Sequence, residues 1–351
     1  MKKFCVQSTG LIAPIIREED NLVEIVVDTV LHSGLKIEHN DIIGITESVV
    51  ARSEGNYVTI DEAAEDIKKV LGNPDYIELL NPIYSRNRFA MILKAFARAA
   101  NKGIKIWMPD EDEVGNVLRD HPFTGLNYDE YYQTIVESEN KKCFILYEYE
   151  IGGPTEYENA ITVDCKVHPK SNFFKYNLMS FCKDKCEWGL LGSNKASEEK
   201  LKLFPSKKYA EQLVTNIQEE IFRRTNVAVH VMVYGDGCFK DPVGGIWEFA
   251  DPVVSPAYTK GLEGTPNEVK LKNLADEKYA DLNGASLEIA IHNEISKKNN
   301  NLKGDMLSQG TTPRRYTDLL GSLMDLTSGS GDKGTPIVYV KGYFNNFATE
   351  N

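Results

Sequence analysis

Two acidic segments of the chain carry side chains that could bind a divalent cation. Residues 110–116 read Asp-Glu-Asp-Glu-Val-Gly-Asn and follow an apolar run at 103–108, and Asp236 lies between two glycines after the apolar run 227–234. Mg²⁺ and Mn²⁺ take carboxylate oxygens as ligands, and open α/β sheets often place ligand groups just beyond strand ends. Either segment alone is more typical of a solvated acidic turn. Together they predict that Asp236 and Glu113, or Asp112 in its place, approach one cation.

A glycine-rich segment at 329–334 reads Gly-Ser-Gly-Asp-Lys-Gly and satisfies the letters of a dinucleotide-binding fingerprint. That fingerprint follows a strand and opens a helix, whereas this segment follows a predicted helix and precedes a predicted strand. It is not a P-loop, because Thr335 and Pro336 stand where Lys and Ser or Thr are required. Glycines still allow backbone N–H groups to point at an anion. A phosphate-binding loop and a plain helix-to-strand turn remain equal alternatives.

Hydroxyls and cations elsewhere could hold phosphates or carboxylates. Thr46 ends the predicted strand 41–46, and Ser48 and Arg52 follow it. All three could contact a nucleotide, although an exposed arginine in a turn is the alternative. The candidates for bidentate binding of a substrate carboxylate are Arg86, Arg88, Arg314 and Arg315, although a surface salt bridge is the commoner role of an arginine. There is no HExxH or GxSxG motif, and the CxxxC at 182–186 has no second cysteine pair. Structural zinc and nucleophilic hydrolase chemistry therefore have no support.

The elements that must position these residues alternate between helix and strand. Apolar residues at helical spacing predict helices at 22–31, 59–71, 89–100, 128–136, 210–222, 269–281, 287–298 and 313–326. Thr59 and Glu62 are expected to form a capping box at the start of the helix at 59–71. Apolar runs predict strands at 41–46, 103–108, 227–234 and 336–340. Two further runs, 143–149 and 160–167, are expected to pair as a hairpin. The fold class is therefore predicted to be α/β.

Composition excludes several classes of protein. The 351 residues are 42% hydrophobic and 26% charged, which is ordinary for a folded globular protein. A formal net charge of −12 argues against nucleic acid as the main partner, because phosphate-backbone binding needs a basic face. No apolar stretch is long enough for a signal peptide or a membrane span. Six cysteines without a paired framework indicate a reducing compartment, so a cytoplasmic location is expected.

Three segments together resemble a known family. They are Ser48 to Gly55 (Ser-Val-Val-Ala-Arg-Ser-Glu-Gly), Glu113 to Asn116 (Glu-Val-Gly-Asn) and above all the run from Gly329 to Gly342. In this order they are similar to motifs of the γ-glutamyl ligase of the deazaflavin coenzyme factor 420. The match covers roughly 9–118 and 227–342 and leaves the segment between them without a counterpart. The resemblance implies GTP- and metal-dependent ligases that act as homodimers, with two intertwined α/β subdomains.

The resemblance also implies roles for particular residues. Leu11, Ile12, Thr46, Ser48 and Arg52 would border the nucleotide. The metal would lie near Asp236 and Glu113, or Asp112, with Asn116 beside it. The backbone of the glycine-rich segment, which comprises Gly329, Ser330, Gly331, Asp332, Lys333 and Gly334, would hold phosphates. Arg52 and Asp236 are thus the expected catalytic residues.

These observations predict an amide ligase that uses GTP or ATP with Mg²⁺ or Mn²⁺. It would phosphorylate the carboxylate of a small-molecule acceptor, and the amine of glutamate or a similar amino acid would then attack the acyl phosphate. A metal-dependent phosphohydrolase and a nucleotide-binding regulator without turnover remain alternatives. The expected organisation is an N-terminal α/β part at 1–118, a middle insertion at 119–226 that sets specificity, and a C-terminal α/β part at 227–351.

Overall fold

The computed structural model describes residues 5–108, 119–121, 124–147, 160–165, 174–235, 238–240, 247–249, 255–266, 269–297, 315–329 and 331–349. The described strands are β1 Gln7–Leu11, β2 Ile42–Thr46, β3 Tyr57–Thr59, β4 Tyr76–Leu80, β5 Gly103–Trp107, β6 Lys142–Leu146, β7 Ala160–Asp164, β8 Tyr176–Asn177, β9 Asn194–Ser197, β10 Lys200–Lys202, β11 His230–Tyr234, β12 Cys238–Lys240, β13 Trp247–Phe249 and β14 Ile337–Lys341. The described helices are α1 Leu22–Leu31, α2 Glu47–Glu54, α3 Ile60–Leu71, α4 Phe89–Ala99, α5 Tyr128–Ser138, α6 Lys207–Thr225, α7 Leu271–Asn273 with a π-turn at Leu274–Lys278, α8 Gly284–Ser296 and α9 Tyr316–Ser328.

A four-stranded mixed sheet joins the two ends of the chain in the order β1-β14-β2-β11. Strand β14 is antiparallel to both neighbours, whereas β2 and β11 are parallel, with Thr46 opposite Tyr234. One face packs against α1 and α6 through buried aliphatic residues such as Val26, Ile45 and Val214. The other face packs against α9. Because β2 and β11 run in the same direction, the segments that follow them start side by side.

A second sheet is entirely parallel and has the order β6-β5-β4-β7-β8. Its core also contains residues of α3, α4 and α5. The predicted hairpin at 143–149 and 160–167 is wrong, because β6 pairs with β5 and β7 pairs with β4. Continuous apolar runs are typical of buried parallel strands as well as of hairpins, so the pattern did not decide the partner.

The other predicted helices and strands have the predicted type, and their ends differ from the predicted ones by a few residues. Two regions of the chain differ from the prediction. The helix expected at 269–281 is only the short α7 followed by its π-turn. After strand β2 no helix is predicted, whereas Glu47–Glu54 forms helix α2. The capping box is present, with Thr59 Oγ1 accepting from the Glu62 N–H at 3.1 Å. The α/β fold class is therefore confirmed, while the domain boundaries at 118 and 226 stay a prediction.

Strand β10 comes from the middle of the chain and pairs with β3 and with β9 in a three-stranded antiparallel sheet. Strands β12 and β13 pair only with each other among the described strands. In the described ranges, no helix has the length and apolarity needed to cross a membrane.

Candidate active site

Helix α2 starts directly where strand β2 ends, next to the end of β11. Its N-cap residue, Thr46, is extended and uses its backbone N–H to donate to the carbonyl of Pro336 at 3.0 Å, but its side chain makes no capping bond. The first N–H groups of a helix have no partner within the helix and carry part of its positive dipole. The beginning of α2 is therefore suited to binding an anion.

A cavity of about 420 Å³ opens at this point, and we call it the glycine-loop cavity. Its walls come from 13–16, from the first turns of α2, from the end of α9 and from the glycine-rich segment after it. Gly329 and Gly334 have φ of 60° and 64°, a region that residues with a Cβ rarely adopt. Gly334 also accepts a backbone hydrogen bond from Ala13 at 3.0 Å, which fixes the loop against the segment that follows β1.

The lining of the glycine-loop cavity combines anion-binding groups with apolar surface and one carboxylate, that of Asp325 on α9. Ser48 contributes a hydroxyl and Arg52 a guanidinium, and both side chains are exposed. Pro14, Ile15 and Val49 provide apolar surface beside them. This donor set suits a nucleotide, because phosphates need N–H groups and cations while a base needs apolar surface.

A second cavity, of about 710 Å³, lies on the other side of Arg52, and we call it the lysine cavity. It shares Ser48 and Arg52 with the glycine-loop cavity. Its other lining residues come from β3, β9, β10 and the segment before α4, and they are Tyr57, Asn87, Asn194, Lys195, Ala196, Lys200 and Lys202. Four of the nine lining residues are basic and none is acidic, which contrasts with the net charge of −12.

A buried ion pair connects helix α2 to the lysine cavity. Lys202 Nζ lies 2.7 and 2.6 Å from the two carboxylate oxygens of Glu47. The two side chains are only 9% and 4% exposed. A Cβ at Gly235 would collide with the Glu47 side chain, so the end of β11 lies against this pair. The pair holds the start of α2 in place between β10 and β11.

Tyr57 forms one side of the lysine cavity and interacts with two of its cations. Lys200 Nζ lies 4.2 Å from the centroid of the Tyr57 ring, within cation–π range. Burial raises the pKa of the Tyr57 phenol, and the nearby charge of Arg52 partly opposes that effect. The phenol is therefore a neutral hydrogen-bonding group at physiological pH.

The structure brings six of the predicted site residues together around the glycine-loop cavity. They are Thr46, Ser48, Arg52, Gly329, Gly331 and Gly334. Leu11 is buried on β1 and the Ile12 side chain is 77% exposed, and the four residues that follow them line the cavity instead. Asp332 and Lys333 lie on the exposed 3₁₀ turn after Gly329 and are not part of the lining.

Of the arginines proposed for substrate carboxylates, Arg86 and Arg88 line neither cavity, although Asn87 between them lines the lysine cavity. Arg314, Ser330, Asn116 and the expected metal ligands Asp112, Glu113 and Asp236 lie outside the described residues. The strands before the two acidic segments, β5 and β11, belong to different sheets. Within the described residues, no group of three or more His, Cys, Asp or Glu is arranged to hold a metal ion.

Sequence reasoning assigned specificity to the middle segment as a whole, but it did not identify the basic residues of β9 and β10 or the buried Glu47 as site residues. Lys195, Lys200 and Lys202 read as ordinary surface lysines, because their charge matters only once β10 pairs with β3. One signal was present: Lys200 and Lys202 alternate with an apolar residue, Leu201, as in a half-buried strand. The alternation places both lysines on one face of β10, which is the face towards the lysine cavity.

Comparison with models of known protein families gives a match that spans most of the chain. The family model described as F420-0:Gamma-glutamyl ligase matches residues 10–342, nearly the whole chain. No significant match was found among curated proteins.

Proposed function

The chain belongs to the F420-0:gamma-glutamyl ligase family, and from that membership and the two adjoining cavities we propose that it is a nucleotide- and metal-dependent ligase joining glutamate to a carboxylate acceptor. The observation that carries the proposal is that the α2 N-terminus, Arg52 and the glycine-rich segment meet at one cavity. The proposed reaction depends on positioning and on charge neutralisation, which these features can provide without a nucleophilic side chain.

In the proposed reaction, an oxygen of the acceptor carboxylate attacks the γ-phosphorus of GTP or ATP and the nucleoside diphosphate leaves. The amine of glutamate then attacks the acyl phosphate, the amide bond forms, and inorganic phosphate and a proton are released. Backbone N–H groups of α2 and of 329–334 hold the phosphates, with Ser48 as a further donor. Arg52 faces both cavities and neutralises charge on the transferred phosphoryl group.

A divalent cation, when bound, neutralises charge on the nucleotide phosphates. Asp236 with Asp112 or Glu113 stay the proposed ligands, since carboxylate oxygens are the donors that Mg²⁺ and Mn²⁺ prefer. A homodimer is also part of the proposal, and sedimentation velocity of the purified protein measures it directly.

The experiment is an incubation of the protein with GTP or ATP, Mn²⁺, glutamate and a panel of acceptors. The panel contains the deazaflavin coenzyme, folates and short glutamyl peptides, and mass spectrometry detects a gain of one glutamyl unit. Phosphate release should require glutamate and acceptor together. Arg52→Gln should reduce turnover by about 100-fold or more, as removing a charged transition-state donor does. Arg223→Gln, which changes an exposed arginine on α6, is the matched control.

Phosphate release that never depends on an amino acid would favour a phosphohydrolase. Nucleotide binding without release under any condition would favour a regulator. Normal turnover by folded Arg52→Gln would contradict the role given to that residue.

A further inference from the structure

We propose that Lys202 is a positioning residue of the phosphate site, because it neutralises Glu47 and so allows the start of helix α2 to bind an anion. The inference rests on the proposed function in taking that anion to be the nucleotide phosphates. It adds that a lysine on β10, in the middle segment of the chain, controls the affinity of a site built by other segments.

The first residue of α2 has the wrong charge for an anion site. The helix starts at Glu47, and the side chain of its N-cap residue, Thr46, makes no capping bond to the first N–H groups. A carboxylate at a helix start is attracted by the same N–H groups and the same dipole that would bind a phosphate. With an effective dielectric constant of about 20, an uncompensated negative charge roughly 7 Å away would weaken phosphate binding by about ten-fold or more.

The contact with Lys202 removes this conflict. Lys202 Nζ lies 2.7 and 2.6 Å from the two carboxylate oxygens of Glu47, so both oxygens are engaged. In the described part of the chain, Glu47 lines neither cavity, whereas its neighbours Thr46 and Ser48 line the glycine-loop cavity. A Cβ at Gly235 would lie 2.2 Å from Cγ of Glu47, so this side chain packs directly against the residue that follows β11. The carboxylate is thus kept out of the cavity that the helix start faces.

The burial of the pair points to a role in the site besides a role in stability. The side chains of Lys202 and Glu47 are only 9% and 4% exposed. Replacing a buried ion pair by apolar residues of similar volume is often neutral or stabilising, so stability alone does not explain it. In a buried setting its charges act strongly on neighbouring groups. Since the pair as a whole is neutral, removing one partner or the other leaves charges of opposite sign beside the start of α2.

The test measures phosphate affinity in the two single variants, for which the proposal expects opposite effects. Calorimetric titrations use GTP, ATP and inorganic tripolyphosphate, each with Mg²⁺ and without glutamate or acceptor, so that no turnover occurs. Lys202→Met leaves an uncompensated carboxylate and should weaken binding by about ten-fold or more. Glu47→Gln leaves an uncompensated ammonium group and should tighten binding by about three-fold or more, with a steeper loss of affinity as salt rises. Combining the two changes should restore the wild-type affinity.

The matched controls are Lys36→Met and Glu38→Gln, which change an exposed ion pair that precedes β2 and so lies at the opposite end of that strand from α2. They should leave affinity unchanged, because five residues of strand span about 16 Å and the screening length is about 8 Å at physiological salt. Circular dichroism checks that each variant is folded before titration. If Lys202→Met does not fold, Glu47→Gln still decides the question by the direction of its effect.

Weaker or unchanged binding by folded Glu47→Gln would overturn the proposal, because a pair that only holds the helix in place would lose affinity whichever partner is removed. Absence of binding of all three probes to the wild-type protein would also overturn it. The outcome is separable from that of the proposed function. Opposite effects of the two variants in a protein without ligase activity would support the positioning role and refute the ligase. An active ligase in which both single variants lose affinity would support the ligase and refute the positioning role.

Discussion

The buried pair between Glu47 and Lys202 makes a sharp test of how helix α2 is held. Replacing Lys202 by Met keeps most of the side-chain volume but leaves the Glu47 carboxylate, only 4% exposed, without its cation. Breaking a buried pair by removing one partner costs about 3–5 kcal/mol. With an m-value of about 3 kcal/mol/M in urea, the unfolding midpoint should fall by about 1 M or more.

The assay is urea unfolding followed by both circular dichroism and tryptophan fluorescence, so that a partial transition is detected. Lys36→Met is the matched control, because Lys36 and its partner Glu38 are 83% and 46% exposed. It should change stability by no more than about 1 kcal/mol. Combining Lys202→Met with Glu47→Gln removes the unpaired charge and should recover about 2 kcal/mol or more of the loss. A loss below about 1 kcal/mol for Lys202→Met, or a double variant no more stable than the single one, would refute the reasoning.

Two further predictions concern the glycine-rich segment and a carboxylate far from it. The Gly331→Val variant should fold normally, because Gly331 lacks a positive φ and a Cβ there meets nothing within 4 Å. The valine side chain should fill part of the cavity and weaken nucleotide binding by about ten-fold. Unchanged nucleotide affinity by calorimetry would show that the segment is only a turn. Side-chain hydrogen bonds from Lys297, Tyr279 and Lys278, of which that from Lys297 has the largest effect, lower the pKa of Glu294 from 4.5 to about 2. The contribution of Glu294 to the free energy of unfolding is therefore present above pH 4.5 and lost as the pH falls towards 2. The Glu294→Gln variant should be less stable than the wild type at pH 7 and nearly as stable at pH 2. A difference in unfolding free energy that does not shrink as the pH falls would contradict this.

Local patterns in the sequence predicted most helices and several strands, because the residues that determine those elements lie within them or directly beside them. The capping box at Thr59 and the apolar stripe of α6 are complete within a few turns of chain. Strand partners are different, since β6 and β7 pair with β5 and β4 through contacts that no short window contains. The sequence did not predict helix α2, whose eight residues end at Glu54 with Gly55 as the C-cap.

For the site, the sequence predicted residues that line the glycine-loop cavity. It assigned specificity to the middle segment as a whole and did not identify the residues of the lysine cavity. Glycine spacing and hydroxyls at a strand end have a recognisable local pattern, so Ser48, Arg52 and the segment at 329–334 were identified from the chain itself. The lysine cavity has no such pattern, because it exists only after β10 pairs with β3 and carries its lysines to Arg52. Its residues are also far apart in the chain, from Ser48 to Lys202.

Helix α2 links the two sides because it is short and fixed at both ends. Lys202 holds its first residue, and near its end Ser53 shares a 3.0 Å hydrogen bond with Tyr209 of α6. Asn56, just beyond the helix, donates to the carbonyl of Phe204 at 2.8 Å. All three partners lie between 202 and 209, so this part of the middle segment, from β10 to the start of α6, fixes the helix that carries Ser48 and Arg52. Changes in that part of the chain can therefore alter the shape of the lysine cavity while the glycine-rich segment stays the same. Under the proposed function, one phosphate site would in this way serve ligases with different acceptors.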